Sequence, residues 1–264
     1  MKSVVKAFTL IELLVSMAVL ALLLVMLLGL VDSGTKLWRE NEGRAEIYRE
    51  ARAALSIIER DLRNGISKTD SPKLFLLNSD AFSKLPSSAQ ANATNASALF
   101  FLSAQPSSAL GTSSKSDICE VGYFLAFGSS SANPSANPAS APGTMNLYRY
   151  FRTGDAAYSN LIANTSFPSP TLTGNETELL ARNIRSFRIS AFSTNSSGGL
   201  VPYSGSPDAP LPELVEISLV AVNQELANKL GSASDWISPP SGITNAMQRV
   251  EQEFSVRVRT SNKK

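Results

Sequence analysis

Nineteen consecutive residues, Leu13–Val31 (LLVSMAVLALLLVMLLGLV), contain a single polar side chain, Ser16. As a helix rising 1.5 Å per residue they span about 28 Å, close to the roughly 30 Å hydrocarbon core of a bilayer. The segment therefore reads as a membrane-spanning helix. Lys2 and Lys6 precede it with no acid before Glu12, so the basic leader belongs on the cytoplasmic side and residues beyond Val31 on the other. Glu12 is out of place, flanked by Leu10, Ile11, Leu13 and Leu14. An unpaired carboxylate in lipid costs about 2.5–3.5 kcal/mol or more, which makes an intramembrane acid a functional hypothesis by default. No cationic side chain lies between Ala7 and Asp32. A cut between Ala7 and Phe8 would create a cation, an α-amino group four residues before Glu12. The two could meet along one helix or between staggered helices.

Charge and composition narrow the function further. The chain has 264 residues with 24 Lys+Arg and 22 Asp+Glu, a balance of +2 that argues against binding nucleic acid through bulk charge. Loss of Lys2 and Lys6 on cleavage would bring even this to zero. There is no His, which removes Ser–His and Cys–His nucleophiles and His-ligated metals. Cys119 is the one cysteine, so neither an internal disulfide nor a Cys-rich metal site can form. It alternates with Val121 and Tyr123 and reads as a small buried residue on a strand.

Residues 35–64 continue the helix in water. Tyr48, Ala51, Leu55, Ile58 and Leu62 recur at alternating spacings of three and four, one face expected to pack on a sheet. Glu40–Arg44 and Glu59–Arg63 are i,i+4 pairs, and Asn64-Gly65 supplies a stop. Gly29, Asp32, Ser33 and Gly34 mark the membrane exit, where glycine makes a bend or local melting inexpensive. Beyond Gly65, strands are expected at 98–102, 118–127, 145–152, 184–192, 214–222 and 250–259. Alternation is clean in Val215/Ile217/Leu219 and Phe254/Val256/Val258, and imperfect in Ile184/Phe187/Ile189/Phe192. Between them lie Ser/Ala/Asn/Pro-rich stretches at 86–99, 103–117, 128–143 and 193–210; the third, GSSSANPSANPASAPG, reads as the long tip of a hairpin.

Lys6-Ala7-Phe8-Thr9-Leu10-Ile11-Glu12 resembles the type IV prepilin motif, a short basic leader followed by a cut before Phe-Thr-Leu-Ile-Glu. The resemblance implies cleavage between Ala7 and Phe8 by a prepilin peptidase, N-methylation of Phe8, and docking of Glu12 on the amino terminus of a neighbouring subunit. Ala7 stands where that family usually has glycine. In the head, Glu59-Arg60-Asp61-Leu62-Arg63, Val121-Gly122-Tyr123-Phe124, Leu147-Tyr148-Arg149, Leu179–Phe187 and Leu211–Val215 are similar, in order, to the J-type minor pseudopilin of type II secretion. PilW-type minor pilins share much of this pattern, and the Ser/Ala/Pro-rich insertions are also similar to the Verru_Chthon cassette protein C family.

The expected fold is α+β: a long amino-terminal transmembrane and amphipathic helix packed on an antiparallel β-sheet head, as in pilins. Its expected parts are a leader 1–7, a transmembrane helix 8–31, an amphipathic helix 32–64 and a periplasmic head 65–264. By resemblance the chain is a non-enzymatic minor pseudopilin of a secretion pseudopilus tip or priming complex. Its partners would be other minor and major (pseudo)pilins, a prepilin peptidase, an inner-membrane assembly platform and the bilayer. The alternatives are a minor pilin of a type IV pilus and a pilin-anchored surface enzyme or binding protein; an ordinary uncleaved signal anchor would leave Glu12 to chance. No cofactor is expected. Asp61, Asp70, Asp117, Glu120 and Asp155 could offer oxygen ligands, and some related pseudopilins bind calcium, but these acids lack recognisable ligand spacing, so no metal site is assigned. Ser33-Gly34-Thr35-Lys36 matches S-x-x-K by chance in a serine-rich chain, and Asn92, Asn95, Asn164, Asn175 and Asn195 begin N-x-S/T triplets that polar loops generate.

Overall fold

The computed structural model describes residues 9–66, 75–78, 81, 85, 96–104, 117–128, 143–152, 176–203 and 211–260. Helix α1 spans Leu10–Arg63. The chain divides within it into two units, Met1–Glu46 and Ile47–Lys264. The first unit, as described, is helix. Its apolar residues, from Leu10 to Val31, are all exposed.

In the second unit α1 buries Ile47, Ala51, Ala54, Leu55, Ile58 and Leu62. The spacing is the helical one expected, but Tyr48 lies at its margin, 43 % exposed, with its ring edge-on to Phe254 at 5.1 Å. The helix stops where Asn64-Gly65 was expected to stop it. Gly65 N–H donates to Leu62 O at 3.0 Å, and the chain turns straight into a sheet edge. Ile66 N–H donates to Leu102 O at 2.9 Å, Ala104 N–H to Asn64 O at 2.8 Å, and the Ser103 hydroxyl to Asp61 O at 3.0 Å. Backbone groups orphaned at the helix end are thus taken up by one strand.

That strand belongs to a five-stranded antiparallel sheet in chain order: β1 (Phe75–Leu77), β2 (Leu99–Ala104), β3 (Ile118–Gly128), β4 (Thr144–Arg152) and β5 (Thr177–Ala181). A second sheet holds β6 (Ile184–Thr194), β7 (Leu200–Pro202), β8 (Leu214–Ala221) and β9 (Gln252–Arg259), in the order β7-β6-β8-β9. All six expected strands are present within two residues at either end. β3 and β4 form the expected hairpin, whose tip lies outside the described residues. The imperfect period at Ile184–Phe187 has a cause: the register with β8 shifts between Ile184 and Ser186, a bulge that adds one residue to β6. Strand β7 falls within the stretch 193–210 expected to be loop. The turn before it is built by Asn195, whose Oδ1 accepts from Ser197 N–H at 3.1 Å and Gly199 N–H at 2.8 Å, with Gly198 at φ +80°.

The first sheet is buried on both faces, which is why 118–127 reads as an apolar run rather than an alternation. Leu99, Phe101, Val121, Tyr123, Leu125 and Leu147 join α1 and the second sheet in the main core. Phe100, Phe124, Tyr148 and Tyr150 form a second cluster on the other face, with Ala81 and Leu85. Three short helices close one end of the main core: α2 (Gln224–Ala227), capped by Asn223; α3 (Ala233–Ile237), with a Ser232/Asp235 capping box; and α4 (Ser241–Val250), which follows Pro240. They bury Leu226, Trp236 and Met247.

Gly122 is required by packing. It pairs with Phe100 on one side and Tyr150 on the other, and a Cβ placed on it would overlap the buried Phe100 ring. Gly122→Ala should therefore destabilise the head by about 1–3 kcal/mol, the usual range for overpacking. Thermal unfolding should show the deficit shrinking when Phe100→Leu is combined with it, because the second change removes the obstructing ring. Strictly additive losses would contradict the packing argument.

Candidate functional site

Glu12 occupies the first turn of α1. Its carboxylate Oε2 accepts from Thr9 N–H at 3.0 Å and from the Thr9 hydroxyl at 3.0 Å. Glu12 N–H in turn donates to Thr9 O at 3.1 Å and lies 3.4 Å from Thr9 Oγ1. This is a reciprocal capping arrangement, and its T-x-x-E signature was available in the sequence. Two donors thus come to Glu12 from its own turn, and neither carries a charge. Ala7 and Phe8 lie outside the described residues, so the relation of Glu12 to a new amino terminus is not described.

Beyond this cap the helix is unbroken through Gly29, Asp32, Ser33 and Gly34. The polar side chains at this exit return their hydroxyls to the backbone, Ser33 to Gly29 O at 2.8 Å and Thr35 to Asp32 O at 2.9 Å; Ser16 does the same to Leu13 O at 2.8 Å. Such bonds satisfy the hydroxyls within the helix, where lipid offers no partner.

In the second unit two buried carboxylates, Asp61 and Glu120, each have an arginine within 4 Å. Asp61, fully buried on α1, takes Arg149 Nη2 at 2.7 Å and Nε at 2.8 Å on Oδ2, together with the Tyr123 phenol. Arg60 reaches the other oxygen at 3.2 Å. Tyr123, Arg149 and Glu178 are successive partners across β3, β4 and β5, and Arg149 lies 3.4 Å from Glu178 Oε2. Burial, then the Asp61 charge, raises the Tyr123 phenol well above its ordinary pKa, so it stays protonated and donates. Burial alone would lower Arg149, but Tyr123 and Asp61 outweigh it and leave the guanidinium raised.

Glu120, on the opposite face of the same sheet, is poorly compensated. Its cross-strand partner Arg152 is 3.8 Å from Oε2 because the guanidinium is forked on Glu176, at 3.3 and 3.4 Å. The Tyr150 phenol reaches Oε2 only at 3.5 Å, and Oε1 has no hydrogen-bond donor among the described residues. Burial therefore dominates and pushes Glu120 up to about 7, against the lowering by Arg152. Asp117 is exposed, Asp70 and Asp155 lie outside the described residues, and no cluster of three His, Cys, Asp or Glu is present among the described residues. Cys119 is buried on β3.

Residues 2–28 match the family described as the prokaryotic N-terminal methylation motif. The amino terminus is that of a type IV prepilin-like protein. No curated protein shows a significant match to the chain. Among solved structures, a type IV-like pilin from Thermus thermophilus is similar, with 12 % identity, 81 % of this chain and 95 % of that one covered, and a TM-score of 0.39. From Leu10 onward the matched residues lie on α1, within its exposed apolar stretch. Together they point to a membrane-anchored chain with an amino-terminal methylation motif. Of the residues expected to act in processing and docking, Glu12 alone is described, and it sits at the start of α1.

Proposed function

We propose that this prepilin-like chain is a minor pseudopilin, a non-enzymatic subunit of a type II secretion pseudopilus tip or priming complex. Before assembly it is held in the inner membrane by one span, amino terminus cytoplasmic and head periplasmic. Prepilin peptidase cuts between Ala7 and Phe8, the Phe8 amine is methylated, and an inner-membrane assembly platform passes the subunit to its neighbours. The observation that carries this reading is an acid, Glu12, on the first turn of an apolar helix whose side chains are exposed from Leu10 to Val31. Such a surface is covered by lipid before assembly and by other apolar helices afterwards. A carboxylate there needs a partner in each setting, and the new amine of a neighbour supplies one in the filament.

Two replacements of Glu12 test this. Glu12→Ala removes both charge and cap, whereas Glu12→Gln keeps a capping side chain and removes only the charge. Both variants should be processed and N-methylated normally, by mass spectrometry of the mature terminus in cells with and without the peptidase. Both should enter filaments at least about tenfold less than wild type, the effect of losing one charged contact in lipid. Normal incorporation of Glu12→Gln would reduce the residue to a helix cap. Deleting the gene should stop export of the secreted cargo; loss of pilus retraction or adhesion with export intact would instead make the chain a type IV minor pilin.

A further inference from the structure

The apolar stripe of α1 does not end with the membrane span. Leu30, Val31, Gly34, Leu37 and Trp38 lie within about 120° of one another on a helix turning 100° per residue, while Asp32, Ser33, Lys36 and Arg39 occupy the other side. Leu37 is 61 % and Trp38 74 % exposed. A tryptophan this exposed is unusual, since the residue is highly buried on average. Because the helix runs unbroken through Gly29–Gly34, the axial position of Trp38 is fixed: seven residues, or about 10 Å, beyond Val31. Helical side chains lean toward the amino terminus, so the indole points back toward the bilayer rather than away from it. The headgroup layer extends about 5–8 Å from each edge of the hydrocarbon core, and that is where the ring arrives.

We propose that Leu37 and Trp38 form an interfacial anchor, seated among the lipid headgroups and carbonyls of the leaflet from which the helix emerges. The occupant of this face is the bilayer interface, because the stripe is continuous with the span that lipid covers and stops at the depth where the headgroups stop. An indole suits that layer: its ring is apolar and its N–H finds a carbonyl or phosphate acceptor. Lys36 and Arg39, at the same level on the polar side of the helix, have stems long enough to reach phosphate oxygens. The anchor fixes how far the subunit rises from the membrane before it is extracted. It rests on the membrane-anchored reading of the chain and not on the choice between pseudopilus and pilus.

The test uses the full chain reconstituted in vesicles of phosphatidylcholine and phosphatidylglycerol. Of the two tryptophans, Trp236 is buried in the head, so subtracting the spectrum of a Trp38→Phe variant isolates Trp38. Nitroxide lipids labelled near the carbonyl end of the acyl chain should quench Trp38 about threefold more strongly than those labelled near the methyl end, and aqueous iodide should quench it weakly, the pattern of an aromatic belt. A vesicle-bound chain whose Trp38 is quenched by iodide as freely as a small indole in water would overturn the anchor. So would a Trp38 protected from iodide and both nitroxides, which would place it against another helix. Failure of the chain to float with the vesicles would remove the membrane reading itself.

Discussion

Asp61→Ala is expected to produce a large loss of stability in this head. The substitution deletes the acceptor of the Tyr123 phenol and leaves Arg149, 7 % exposed, facing an apolar methyl group. Breaking a buried pair from one side typically costs about 3–5 kcal/mol because the surviving charge has lost its compensation. For a unit of this size each kcal/mol moves the unfolding midpoint by about 2–4 °C, so a fall of about 6–20 °C should follow. Near-ultraviolet circular dichroism of the full chain in detergent micelles would read it, with Trp236 fluorescence as a second probe. Glu178, 60 % exposed, can hold only part of the Arg149 charge from its solvent-facing side. Replacing the cluster together, with Asp61→Leu, Tyr123→Phe and Arg149→Met, should recover most of the loss, since the buried charges go together and the partners left behind, Arg60 and Glu178, are exposed to water. A midpoint for Asp61→Ala within about 2 °C of wild type would show that the cluster contributes no more than an exposed pair does.

The location of this cluster explains why it could not be read from the chain. Asp61 falls next to Leu62 on the buried face of α1, and a helical pattern alone makes it an exception on an apolar stripe. Its partners are 62 and 88 residues away, and they converge on it only through the β3–β4 register that sets Tyr123 opposite Arg149. Local signals were read far more completely. The strands with strict alternation, β8 and β9, and the helix stop at Asn64-Gly65 come from patterns confined to a few residues. Strands β1, β5 and β7 were not visible because three to five residues are too few to show a period. The partition into two sheets was equally hidden, since pairing order is a matter of long-range contact. At the amino terminus the T-x-x-E cap is equally local, with Thr9 donating to Glu12 from three residues back.

Glu120 makes the second large prediction, and its sign is opposite to that of an ion-paired carboxylate. An unfolded glutamate titrates near 4.5, and burial raises Glu120 in the folded head to about 7. Between those values the folded state keeps a proton that the unfolded chain has released, so unfolding sheds protons and stability falls as pH rises. The contribution is fully present below about pH 4.5, declines through pH 7 and is gone above it, once both states are ionised. A rise from 4.5 to about 7 corresponds to about 3–4 kcal/mol. Glu120→Gln carries no titrating group, so at pH 8 it should be more stable than wild type by about that amount, while at pH 4.5 the two should coincide. Every other carboxylate is common to both proteins and cancels in the difference between their pH profiles. A difference that stays constant across this range would mean that Glu120 is not held protonated by its surroundings. The cause can be tested separately through Glu176, which both engages the Arg152 guanidinium and adds a like charge beside Glu120. Glu176→Gln should release Arg152 toward Glu120, lower the carboxyl of Glu120 toward its ordinary range, and move the pH-dependent loss of stability to more acidic values.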